Sequence, residues 1–276
     1  MDSVSQPLDA SSDLPRAGVW RRFLATLIDT IIVMFPFQVM AAIVFAATAG
    51  TIQMDSGFFR YCDAAKTIPQ ALNPPPPHDS NFARVCHVSF FGATTGAILT
   101  VGRTTHEGTR TTTVSQDYML DKDGTPIHGT SIDWIVQFAF LAYLVGMIWK
   151  TGKTLGARVL GVRVIDTANP AASSVPLRKA IIRYLAMAIG LVPMFAVLIS
   201  RTAVAGGADA MFNETYFRWF MYAGGLGLLW EVVLTFQIAM KKDPVYDRLA
   251  GTAVVRENYS VEQQDLANKT RLSRVP

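Results

Sequence analysis

Four long apolar runs, separated by polar stretches of very unequal length, set the plan of this chain. Residues 1–15 are small and polar (MDSVSQPLDASSDLP) and predict a disordered tail. Residues 16–50 begin with Arg16 and the arginine pair Arg21 and Arg22. An apolar stretch of roughly 28 residues follows, broken only by Asp29 and longer than the ~20 a helix needs to cross a ~30 Å hydrocarbon core. Pro36 lies inside this stretch and predicts a kink, which membrane helices tolerate where neighbours satisfy the freed carbonyl. Three further apolar runs cover residues 132–149, 181–200 and 216–240. The pattern predicts an all-α membrane protein: a four-helix transmembrane bundle with a long extracytoplasmic insert, residues 51–131, between the first and second spans. The first run reads as a retained span rather than a cleaved signal. Ala47-Thr48-Ala49 mimics a cleavage site, but signal h-regions run ~7–15 residues, and this run is about twice as long and carries a charge.

Composition agrees with the pattern. Half of the residues are hydrophobic and only 17% are charged, below the ~25% of soluble proteins. The net charge of +4 is distributed as a topology signal rather than a nucleic-acid surface. Of 25 Lys and Arg, three lie between 16 and 22, seven between 150 and 183, and seven between 241 and 274. Arg201 and Arg218 alone flank the loop at residues 201–215, and six are diluted through the long insert. Basic residues concentrate in short cytoplasmic segments, and long loops count little. Both termini, the tail at 241–276 and the connection at 150–180 are therefore expected in the cytoplasm.

The insert has a stiff Pro run at 74–77 and a Ser/Thr/Gly-rich patch at 92–115. Asp121-Lys122-Asp123-Gly124 reads as a hairpin turn. A small, partly β subdomain or lid is one reading of this segment. Phe90-Phe91 with residues 92–101 is apolar but too short for a span. Cys62 and Cys86, the only cysteines, both fall here. An extracytoplasmic setting favours a disulfide, with two free thiols as the alternative. His78, His87, His106 and His128 are scattered through the same insert and read as surface or turn residues.

In the connection, Gly152-Lys153-Thr154 looks like the end of a phosphate-binding loop. That loop needs a glycine five residues earlier, where Met147 stands. The preferred reading is an amphipathic interfacial element. Its apolar side would be Leu155, Val159, Leu160 and Val162, with Lys153, Arg158 and Arg163 toward headgroups. A short strand is expected near Val162 to Ile165. Gly224, Gly225 and Gly227 in the fourth run suggest close helix approach.

These residues together resemble the RDD family of small bacterial membrane proteins, named for an arginine and two aspartates. AGVWRRFLATLID matches the opening of the family's first helix, with Arg22 as the arginine and Asp29 as the first aspartate. TGKTLGARVLGVRVID is similar to the glycine-rich segment after the second span. KDPVYDRLAGTAVV is similar to the closing segment, with Asp247 as the second aspartate and Tyr246 where many members have histidine. The long Cys-bearing insert departs from the family, whose first loop is commonly short. The resemblance implies a multi-pass protein of a bacterial inner membrane, and some members are associated with cation/proton exchange.

An acid within a span marks an ion pathway more often than a surface acid does. Asp29 and Glu231 are the two such acids. Arg22 and Asp29 share a helix face but are ~10 Å apart along the axis, so each needs a partner elsewhere. Arg22, Asp29, Arg183, Glu231 and Asp247 are the expected intramembrane or membrane-edge polar network, functional or structural, with Arg22, Arg183 and Arg248 as countercharges. Gln38, Gln137 and Gln237 either line a polar path or bond between helices. The reading favours a transporter of a cation or small solute, working as a homo-oligomer. The alternative is a non-transporting scaffold whose insert or basic connection binds a periplasmic or membrane protein. No cofactor, metal site, nucleic-acid partner or enzyme motif is read from the chain.

Overall fold

The computed structural model describes residues 15–65, 67–69, 72–203 and 214–257. The tails at 1–14 and 258–276 and the loop at 204–213 lie outside the described residues. In chain order the elements begin with helix α1 (Val19–Ala47). Strands β1 (Ile52–Gln53), β2 (Phe59–Ala64), β3 (Phe82–Phe90), β4 (Ala93–Glu107), β5 (Arg110–Leu120), β6 (Pro126–Ile127) and β7 (Thr130–Ser131) follow. Then come α2 (Asp133–Thr151), α3 (Leu155–Val159), β8 (Val162–Asp166), α4 (Leu177–Met187), a 3₁₀ turn (Ala188–Leu191) and α5 (Val192–Ala203). The described chain closes with α6 (Glu214–Ala239), α7 (Val245–Ala250) and β9 (Thr252–Arg256).

Four segments are long and apolar enough to cross a membrane: Val19–Ala47, Asp133–Thr151, Leu177–Ser200 and Tyr216–Ala239. The first is one unbroken helix that contains Pro36. The third starts four residues earlier than its apolar run, so Arg178, Lys179 and Arg183 stand on α4. Its 3₁₀ turn precedes Pro193, whose missing N–H cannot continue an α ladder.

The all-α expectation is too narrow. Beside the four helices stand a five-stranded sheet of order β2-β3-β4-β5-β6 and two two-stranded sheets, β1-β7 and β8-β9. The reason is visible in the insert. Ala97, Leu99 and Val101 on β4 and Tyr118 and Leu120 on β5 recur at alternate positions and give the pleated surface an apolar face.

The chain divides into two compact units. The first takes the described parts of Met1–Ile31, Leu141–Ala196 and Met221–Pro276. Its core joins Ala17, Ile148, Ala157, Val162, Val164, Val175, Ala180 and Val254. Antiparallel β8 and β9 pair from Val162↔Arg256 to Asp166↔Thr252. The expected amphipathic element does not form as one surface. Only Leu155–Val159 is helical, and Val162 is buried in β8. Arg163 donates to the Ala172 carbonyl and Lys153 pairs with Glu257.

The second unit takes Ile32–Phe140 and the described parts of Val197–Phe220. Central strand β4 puts Ala97, Leu99 and Val101 on one face. They pack with Tyr118 and Leu120 of β5 and with Phe45 of α1. Cys62 and Cys86 face each other across β2 and β3 and are joined as a disulfide. The turn expected at Asp121 to Gly124 connects β5 to β6, with Asp121 Oδ1 accepting from the Asp123 and Thr125 amides.

Candidate functional site

The site is built from two polar nodes of the first unit. The first grows from a helix start. The opening amides of α3 have no intrahelical acceptor. Three side chains supply one each. Thr154 Oγ1, at the N-cap, accepts from the Ala157 amide at 3.1 Å. Asp29 Oδ1, from α1, accepts from the Gly156 amide at 2.7 Å. Tyr143 Oη, from α2, accepts from the Leu155 amide at 3.0 Å and donates its own proton to Asp29 Oδ1 at 2.7 Å. Asp29 is buried, at 2% exposure. Gly156 makes this approach feasible, since a Cβ there would lie 2.1 Å from the Ala25 carbonyl oxygen. Arginine is not among the partners that Asp29 finds. The expected countercharge is replaced by a hydroxyl and a backbone amide, which satisfy a carboxylate without a second buried ion.

The second node centres on Asp247 at the start of α7, fully buried. Arg22 Nη1 donates to Asp247 Oδ2 at 3.0 Å and to Tyr246 Oη at 3.3 Å. Arg22 Nε donates to the Ala17 carbonyl at 3.1 Å. Arg183, from α4, pairs with Asp247 Oδ1, which also accepts from Thr252 Oγ1 at 2.9 Å. Two guanidiniums thus share one carboxylate. The Tyr246 ring lies 4.8 Å from Arg183 Cζ and offers its face to the surplus cation. Arg22 Nη2 and Arg183 Nε are buried without a hydrogen-bond partner among the described residues.

The structure therefore brings Arg22, Arg183 and Asp247 into direct contact and places Asp29 in a separate node. Glu231 joins neither: it is exposed on α6. Gly227 makes the close approach in that helix, against the Gly190 carbonyl, while a Cβ on Gly225 would meet nothing within 4 Å. Arg248 is exposed and lines a groove of about 620 Å³ with Arg16, Gln237, Met240, Lys241, Lys242 and Asp243. Arg16 closes on Asp243 at 2.8 Å in this groove. The three glutamines form no common path. Gln237 accepts from the Val245 amide, Gln38 donates to the Ser56 carbonyl, and Gln137 is exposed.

Sequence reasoning missed Tyr143, Thr154, Gly156 and Thr252. Thr154 carried a readable signal, a β-hydroxy residue just ahead of a short helix. Tyr143 carried none, being one aromatic among many in an apolar run. In the second unit, Asp133 accepts from the Asp55 and Ser56 amides and from Ser131 Oγ and Ser56 Oγ. Burial, with Asp133 beside it, pushes the Asp55 carboxyl above its ordinary range. Among the described residues no group of three His, Cys, Asp or Glu is placed to hold a metal ion.

Four helices long and apolar enough to cross a membrane, with a buried ion cluster joining α1 and α4 to α7, mark a multi-pass membrane protein. The family model that matches is the RDD family, over residues 82–251, more than half of the chain, and the protein belongs to that family. Arg183 and Asp247 fall inside the matched residues, while Arg22 and Asp29 precede them. No curated protein and no solved structure matches the chain.

Proposed function

We propose that this RDD-family protein is a non-transporting membrane scaffold. It would hold its sheet-bearing insert on one side of a bacterial inner membrane and its basic edge on the cytoplasmic side, for a protein partner. The observation that carries this reading is the fate of Asp29. This acid, one of the two that lie within apolar runs, accepts two 2.7 Å hydrogen bonds inside a packed core. Asp247 is likewise held by two arginines and a threonine. These bonds stitch α1, α2, α3, α4 and α7 together, which is what a scaffold needs and what a carboxyl that must exchange ions does not have.

Transport is the second reading, and Glu231 is the observation that favours it. Its carboxyl is exposed within a candidate span, where a charge is costly unless it meets a partner or water. Proteoliposomes holding wild type or Glu231→Gln separate the two. The scaffold reading expects no cation-dependent dissipation of ΔpH from folded wild type. Flux that is lost in Glu231→Gln would establish transport instead. In everted membranes from the same strain, an Ala171→Cys thiol should label readily. Labelling only in intact cells, from outside, would reverse the proposed orientation.

A further inference from the structure

The free end of the five-stranded sheet carries four phenylalanines that neither the family match nor the polar nodes explain. Phe90 and Phe91 end the β3–β4 hairpin, with ring centroids 4.8 Å apart. Phe58 lies 5.8 Å from Phe90, and Phe59 lies 6.4 Å from Phe91. Phe58, Phe59 and Phe91 are exposed at 54%, 57% and 78%.

Depth can be read from α1. Phe90 stacks edge-on against Phe35 of that helix at 5.1 Å. A hydrocarbon core takes ~20 helical residues. Every window of that length within Val19–Ala47 contains Phe35, wherever the membrane boundary falls. The ring that Phe90 touches is therefore within the hydrocarbon, and the hairpin tip reaches the same level.

The turn itself makes the second case. Phe90 pairs with Ala93, which leaves a two-residue loop of Phe91 at φ 48° and Gly92 at φ 88°. Positive φ at both positions is the type I′ geometry, for which Asn-Gly is the favoured pair. Phenylalanine in the left-handed region is disfavoured by its Cβ. A water-facing turn would gain from asparagine on both counts, conformation and solvation. Placing a phenyl there is intelligible if the tip is solvated by acyl chains.

Strand β2 supplies a third observation, a gradient along the sheet. Phe59 at the tip is followed by Arg60, then by Tyr61, which stacks on His87 at 5.3 Å, then by Cys62 and Asp63. At ~3.3 Å per residue this passes from apolar, through cationic and amphipathic aromatic, to acidic over ~13 Å. Bilayers order side chains in the same sequence from hydrocarbon through interface to water.

We propose that the β3–β4 tip, with Phe58 and Phe59, is an aromatic wedge inserted among the acyl chains of the leaflet on the insert's side. Its occupant is lipid, and it continues the lipid-facing surface of α1. This rests on the multi-pass class alone and is independent of the scaffold reading. The test uses full-length protein in phosphatidylcholine vesicles with a nitroxide at Phe91→Cys or, on the regular strand, at Phe59→Cys. Glu107→Cys, at the β4–β5 turn, is the reference, and a thiol count verifies that Cys62–Cys86 stays closed. Labels at 91 and 59 should collide with oxygen more than with a water-soluble nickel chelate, and the ratio should reverse at 107. Nickel access at 91 and 59 as high as at 107 would overturn the wedge. Exclusion of both reagents would also overturn it, by showing a protein cover from a second copy or another chain. Phe91→Asn suits the turn, so it should keep the hairpin while restoring nickel access to the label at 59. Unchanged access there would count against Phe91 as the anchor.

Discussion

Asp247 faces Arg22 and Arg183 with no exposed surface of its own, so the charges at this point do not balance. Removing the carboxylate leaves two guanidiniums buried without an anion. Removing Arg22 leaves a one-to-one pair. Breaking a buried ion pair from one side costs about 3–5 kcal/mol, whereas replacing a buried ion by a well-packed apolar chain is often close to neutral. Asp247→Asn should therefore lower stability in detergent by about 3–5 kcal/mol, and Arg22→Met by clearly less. Thermal melts of the two variants check the order, and equal losses would refute the charge argument. Asp29 was legible because an isolated charge in an apolar run stands out, whereas Arg22 and Asp247 were marked by the resemblance of their segments to the family's opening and closing motifs. Their partners were not. Tyr143 and Thr252 look like ordinary residues until the fold brings them from 114 and 5 positions away.

Among the elements, α3 has the most constrained position. Its start receives a side chain from α1, one from α2 and its own Thr154, and Gly156 sets the distance to α1. Gly156→Ala would place a methyl against the Ala25 carbonyl, and backbone cannot yield as a flexible side chain can. Overpacking of this kind costs about 1–3 kcal/mol, and the variant should also lose the Asp29 bond, read as a melting-point loss that Asp29→Asn does not deepen. A second clamp joins β8 to α4, where Lys179 pairs with Asp166. Burial raises the Asp166 carboxyl, but the Lys179 hydrogen bond, the Ala168 amide and the lysine charge outweigh it and hold it below its ordinary 3.8. A depressed folded value means that the carboxylate's contribution is full above pH 3.8 and is lost as pH falls through the lower folded value. Lys179→Met should flatten that acid limb of the stability profile, and an unchanged limb would refute the assignment. The strand at Val162 was expected, yet its partner β9 lies 86 to 94 residues further on (252 − 166 to 256 − 162) and left no local trace.

At the scale of the molecule, four apolar runs were enough to announce four helical segments long and apolar enough to cross a membrane. The β content was underestimated because each strand of the insert is short in signal and its face is covered by residues as remote as Phe45 and Leu72. The Phe90-Phe91 stretch shows the limit most clearly. Length alone correctly ruled out a helix across the bilayer, but a hairpin can enter a membrane without crossing it. Its backbone groups then pair with β2 and β4, as burial in hydrocarbon demands.

The cluster around Asp247 also imposes an order on synthesis. Arg22 leaves the ribosome 225 residues before the carboxylate it will bind, and Arg183 leaves it 64 residues before (247 − 183). Over those last 64 residues (247 − 183) the nascent chain holds two cations with their anion still unmade. The last described helix and strand, α7 and β9, therefore act as a latch that arrives after every span has been threaded. A chain interrupted before Asp247 would carry all four membrane helices and still be unfinished, recognisable by its uncompensated arginines to whatever machinery removes incomplete membrane proteins.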